Sequence, residues 1–242
     1  LAAGASRSAA GRAVSFAAVC ALSLAGSSLV AGCSSSDEPD PGPDGGLVSV
    51  TTMRGAFLQA SEIGPTWAAP EESAAPAQTL VSFCGATSTP PEVPPGAELV
   101  SSSLADEGQT GAQTLHQTAL VYPDAASAQA GLALLRTVAG QCPPSAEVPA
   151  TVTADRNEPA FTETAEVREL NEGGWTGFVI VRHKNYEAAH PGTADTAVAV
   201  LTSRNVVIVD TYAIYRLDSA SASPNFEADW QRLVGSVVQR VG

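Results

Sequence analysis

The chain has 242 residues, with 12 Lys and Arg against 25 Asp and Glu and a formal net charge of −13. Apolar residues make up 44% and charged ones only 15%, an ordinary core fraction with a thinly charged surface. This balance excludes nucleic acid as a partner, because phosphate binding needs clustered Lys and Arg. The body also holds no apolar run long enough to span a bilayer.

Arg7 and Arg12 give the amino end a positive region without acids, and an apolar stretch follows over about 13–25. Small residues then lead to Leu29-Val30-Ala31-Gly32-Cys33. A positive end, a short apolar core and small residues before a cut describe a signal peptide over residues 1–32. Val30-Ala31-Gly32-Cys33 resembles the lipobox of bacterial lipoproteins. That resemblance implies cleavage before Cys33 and acylation of its thiol, palmitate included. Two or more chains anchor stably where one does not. The other reading is an ordinary secretory cut near Cys33, leaving a soluble protein with a free thiol.

Residues 33–46 then read as the lipidated cysteine and an acidic tether rich in Pro and Gly, with no apolar side chain to bury. Such a coil reaches on the order of 20 Å. Its acids do not make a calcium loop, since Pro41 and Pro43 stand where a ligand loop must turn and donate backbone groups.

Residues 47–242 are long enough for one sizeable domain. A first helix is expected from an N-cap at Thr51 or Thr52 to about Ile63, with Met53, Phe57 and Ala60 on one face. Gly64-Pro65 stops it and Trp67 covers its end. Short strands are expected over 78–83, 99–104 and 115–122. Along the last, Leu115, Ala119 and Val121 alternate, with polar Gln117 as the exception. The Pro-rich stretches 89–96 and 143–149 read as surface loops. A second helix fits 124–140, capped by Asp124 and striped by Leu132, Leu135 and Ala139. Strands follow over 161–170, 175–185, 197–202 and 206–215, with turns at Gly173-Gly174 and Ser203-Arg204-Asn205. A third helix fits 223–240, with Ser223 as N-cap, Pro224 at the first helical position and Phe226, Trp230, Leu233, Val237 and Val241 on one face. Strands joined by short turns pair antiparallel, so the class is α+β: a single antiparallel sheet with helices packed on one face.

Once Cys20 and Cys33 are assigned to leader and anchor, Cys84 and Cys142 remain. In an exported domain two such thiols pair as a disulfide. They are not in a C-x-x-C motif and have no nearby His, so no metal site is expected. His116, His183 and His190 have no ligand spacing. His116 reads as a half-exposed sheet residue and His190 as part of a turn. Arg182, His183, Lys184 and Tyr186 form a strand-end cluster: an anion site, or, as the plainer reading, a solvated end. Glu163, Glu166, Glu169 and Glu172 read as solvated faces. The three tryptophans read as core. No nucleophile elbow, phosphate loop or cofactor motif is present, so no catalytic residue, metal or cofactor is expected and the protein reads as no enzyme.

Several pieces in order resemble the extracellular sensor domain of PknH-type kinases and the actinobacterial lipoproteins that share it. They are Ile63-Gly64-Pro65-Thr66-Trp67, Phe83-Cys84-Gly85, Tyr122-Pro123-Asp124 entering an Ala-rich helix that runs to Cys142, Arg204-Asn205-Val206-Val207, and a closing amphipathic helix. The chain departs from members that carry two disulfides, since its body can make one. The resemblance implies a single antiparallel sheet, helices against it, and a cleft that binds a ligand. The expected function is a sensor-like module, held to the extracytoplasmic membrane face by its lipid, for a small or lipidic cell-envelope molecule. The alternative is an envelope lipoprotein that binds a protein partner and no small molecule.

Overall fold

The structure is a computed structural model that describes residues 46–70, 79–85, 88–108, 111–153, 157–217 and 223–242. The leader over 1–32, Cys33 and all of the tether except Gly46 lie outside the described residues. In chain order the elements are α1 (Val50–Ala56), α2 (Ala60–Ile63), β1 (Glu98–Gly108), β2 (Gly111–Val121), α3 (Ala125–Ala139), β3 (Ser145–Val148), β4 (Thr151–Val152), β5 (Asn157–Glu158), β6 (Phe161–Glu172), β7 (Trp175–Tyr186), β8 (Gly192–Ser203), β9 (Val206–Leu217) and α4 (Phe226–Val241). Seven strands form one sheet in the order β1-β2-β9-β8-β7-β6-β3, and every neighbouring pair is antiparallel. β4 and β5 make a separate small ladder.

Alternation along the central strands builds two cores. On β7, β8 and β9 the residues Trp175, Val179, Ala199, Leu201, Ile208 and Tyr212 meet α1 and α4. The intervening residues Phe178, Ile180, Val198, Val200, Val207 and Val209 meet α3 and the loop around Cys84. The sheet therefore carries helices on both faces and not on one. The physical reason is that the central strands are apolar at consecutive positions, so neither face can be left to water. The first is the α4 face of the sheet and the second the α3 face.

The first expected helix is two. α1 begins two or three residues early, where the Ser49 hydroxyl accepts the Thr52 amide, and breaks at Phe57, whose backbone is extended. Gln117 causes the break. Its side-chain amide accepts the Leu58 N–H at 2.7 Å and donates to the Leu58 carbonyl at 3.0 Å. Both backbone groups are thus satisfied by the sheet and not by a helix. Gln117 is fully buried, which explains the polar exception in the β2 pattern. α2 stops before Gly64, and the Trp67 ring packs over that glycine.

α3 lies where expected, with the Asp124 carboxylate accepting the Ser127 amide at 2.7 Å. α4 buries its predicted stripe but starts later, with Asn225 as N-cap. Ser223 is not the cap; its amide donates to Asp195 Oδ2. Of the stretch expected as a strand over 78–83, the described residues 79–83 form no strand. The Ser82 hydroxyl is drawn into loop bonds with Gly85 and Ser88. Conversely, 145–148 within a Pro-rich stretch forms the edge strand β3. Flanking prolines keep it short, as edge strands often are. Both Gly173 and Gly174 have positive φ in the β6–β7 hairpin, the conformation that turn requires.

Asn205, in the tight β8–β9 turn, does more than turn the chain. Its side chain accepts the Val48 N–H at 2.7 Å and donates to the carbonyls of Val48 at 3.0 Å and Tyr122 at 2.7 Å. Asn205→Ala leaves three buried backbone groups unpaired. It is expected to lower the unfolding free energy by about 2–3 kcal/mol in a urea titration. A loss within error of zero would mean that water replaces the side chain.

Candidate functional site

The strand-end cluster at the end of β7 does not stay together. Pleating sends Arg182, Lys184 and Tyr186 to the α3 face and His183 to the α4 face. Each cation meets a carboxylate. Arg182 Nη1 donates to Glu163 Oε1 at 3.1 Å, and the two side chains are 11% and 4% exposed. Burial lowers the Arg182 pKa, and the Glu163 charge opposes that shift. Gly85, at a positive φ, lays its backbone against this pair; a Cβ there would collide with both side chains. Glu163 is therefore no solvated face residue, because the loop next to Cys84 closes over it. Glu166 and Glu169 are exposed as expected, while Glu172 is half-buried.

Further along the same face, Lys184 Nζ and the Tyr186 hydroxyl both donate to Glu158 Oε1, each at 3.2 Å. Lys184 also sits 4.2 Å from the centre of the Phe161 ring. Phe161, Tyr186 and Tyr215 form a row with ring centres 5.4 and 5.8 Å apart. On β8, Ala194 pairs with Tyr215, and Gly192 has no side chain where a Cβ would touch both Tyr186 and Tyr215, so the tyrosines meet across the strand. Phe161 is buried and both tyrosines are half-buried.

On the α4 face, His183 Nδ1 lies 2.6 Å from Asp195 Oδ1. Asp195 Oδ2 accepts the Ser223 amide at 2.9 Å, which pins the chain entering α4. The cluster is thus a set of buried and half-buried side chains, each partnered by a carboxylate, neither a free anion site nor a solvated end.

Three surface clefts lie near these groups. One of about 450 Å³ sits at the β3–β6–β7 corner beside Phe161 and Tyr186, with Glu147, Thr162, Asn185 and Glu187 supplying its polar lining. One of about 330 Å³ lies between the β2–β9 ends and the approach to α4, lined by Asp106, Gln113, Arg216 and Ser223. One of about 470 Å³ lies between the Pro-rich loop at 88–92 and the end of α3, next to Cys84. The first has carboxylates and amide groups but no cation in its lining, so it favours hydroxyl and amine donors over phosphate.

Little reactive chemistry is assembled. Ser103 Oγ lies 2.9 Å from His116 Nδ1 on the α3 face, and burial lowers the His116 pKa. Among the described residues nothing orients that imidazole from its other nitrogen, as a nucleophile–base pair requires. No group of three His, Cys, Asp or Glu able to hold a metal occurs among the described residues. His190 sits in its expected turn, bonded to Glu187. Trp175 and Trp230 are core, and Trp67 is half-buried against it.

Cys84 and Cys142 are joined in a disulfide that ties the loop before β1 to the end of α3. No helix among the described residues is long and apolar enough to cross a membrane. Sequence reasoning missed Glu158, Asp195, Asp210 and the burial of Glu163. Their one local signal is an acid inside an otherwise apolar or alternating strand, as with Asp210 in 206–214.

No protein-family model matches the chain, and no curated protein matches it. Among solved structures, an uncharacterised protein from Mycobacterium smegmatis is 14% identical over 82% of this chain and 98% of its own, with a TM-score of 0.37, too distant to bear on the fold. The extracellular domain of PknH from Mycobacterium tuberculosis is 13% identical, covers 81% of this chain and 97% of its own, and superposes with a TM-score of 0.53. In fold, this chain resembles the PknH extracellular domain, with its own seven-stranded antiparallel sheet covered by helices.

Proposed function

We propose that the chain is an extracytoplasmic lipoprotein, anchored through Cys33, whose domain over 47–242 binds a cell-envelope molecule and has no enzymatic activity. The observation that carries the reading is the cleft of about 450 Å³ beside Phe161 and Tyr186, which combines an aromatic wall with carboxylate and amide acceptors. A disulfide within the domain supports export. The likeness in fold is to a domain that is extracellular in its own protein. The cleft's chemistry suits the neutral or amine-bearing part of an envelope molecule, a sugar or a peptide amine, stacked on Tyr186. An envelope partner protein is the other reading. Its expected mark is a contiguous apolar patch, yet the exposed large apolar residues Leu47, Leu134, Val152, Val167 and Leu217 sit on five separate segments.

The test is native mass spectrometry of the chain exported with its own leader from an actinobacterial host and released in detergent. The expected spectrum carries diacylation at Cys33 and a second, dissociable mass. That second mass is lost in Tyr186→Ala while the fold persists by circular dichroism. A clean unliganded mass overturns ligand binding, and an unmodified Cys33 overturns the anchor.

A further inference from the structure

Asp210 lies in the middle of β9 on the α4 face and is 2% exposed. Among the described residues its carboxyl accepts one bond, from the Thr118 amide, and Oδ1 has no hydrogen-bond partner. The gap between it and α4 is walled by Leu115, Ala199, Trp230, Leu233 and Val234 and is too narrow for a water molecule. From β2 it faces Gln117, whose amide is committed to Leu58. From β8 it faces Ala199. α4 presents only apolar side chains to the gap; its nearby charges, Asp229 and Arg232, pair with each other at 3.7 Å. The remaining titratable wall residue, Tyr212, has its pKa raised by burial and stays neutral. Among the described residues no cation faces Asp210, so nothing described in this site compensates an ionised carboxylate.

We propose that α4 is a pH-sensitive cover: it closes on the sheet over a protonated Asp210 and loosens when that carboxyl ionises. Burial raises the Asp210 pKa from an ordinary 3.8 to about 7. A carboxyl raised on folding stabilises fully below its unfolded pKa, and that contribution is lost as pH climbs through the folded value. Closure is therefore tightest in acid and weakens across neutral pH. Ser223 and Pro224, which lead into α4, line the cleft of about 330 Å³, so loosening reshapes that opening.

Hydrogen exchange read by mass spectrometry on the exported chain tests it, from pH 5.5 to 8.5 and corrected for intrinsic exchange. α3, which packs on the opposite face, is the internal reference. In the wild type the ratio of α4 to α3 protection is expected to fall about thirtyfold, roughly a decade per pH unit from pH 5.5 up to the folded value near 7 and little beyond it. In Asp210→Asn the ratio is expected to stay flat. A flat ratio in the wild type overturns the proposal, as does an equal fall in the variant. If the variant does not fold, the wild-type ratio decides alone: α4 and α3 losing protection in step overturns it.

Discussion

Replacing Cys84 and Cys142 together by alanine is expected to lower the unfolding free energy by about 4 kcal/mol. The bond closes a loop of 58 residues that contains β1, β2 and α3. Breaking it restores the entropy of that loop to the unfolded chain, and the cost grows with loop length. There is also a local consequence. Cys84 is followed by Gly85, whose backbone seals the Glu163–Arg182 pair. Freed from α3, that loop no longer holds water away from two charges. The measurement is a pair of urea titrations, oxidised wild type against the double variant, with reduced wild type as a third curve. The reduced and variant curves should coincide. A loss under about 1 kcal/mol would show that the reduced chain keeps the loop in place through Leu80 and Phe83 alone.

The second large effect concerns that ion pair. Arg182→Ala leaves the Glu163 carboxylate, 4% exposed, without its cation. Removing one member of a buried pair costs about 3–5 kcal/mol, because the surviving charge stays desolvated. Removing both is far milder. The double variant Glu163→Gln, Arg182→Met is expected to recover most of the loss, since it retains volume and leaves no net charge. Thermal unfolding of the two variants and the wild type gives the comparison. If the double variant is as unstable as Arg182→Ala, the pair's contribution is packing beneath Gly85 and not charge neutralisation. The exposed pairs Arg136–Glu169 and Arg168–Glu227 offer a contrast. Their side chains are open to water, and deleting either is expected to change stability little.

The ion pair also shows how far sequence reading reaches. Arg182 stood out because cationic and aromatic residues crowd one strand end, yet its partner lies on another strand and its cover on a loop that no local pattern announces. Gln117 broke the alternation of β2 and Asp210 interrupted the apolar run of β9, and each break marked a buried polar group. Pattern alone gave no indication that one amide would split a helix 59 residues away, or that one carboxyl would sit beneath another helix with an oxygen unpaired.

The features legible in the residues alone are local. Hydrophobic patterning located the central strands, α3 and α4; Asp124 and Gly173-Gly174 marked a helix start and a hairpin; and the expectation of export paired the two body cysteines. These follow from forces acting within a turn or a strand, or from the simple scarcity of thiols. The tertiary structure decided the rest: helices on both faces, the break at Phe57, the strand at 145–148, the late start of α4 and the burial of Glu163, Asp195 and Asp210. Each depends on hydrogen bonds or burial between residues distant in sequence, and these long-range terms override the local preference wherever a backbone group or a charge must be satisfied away from water.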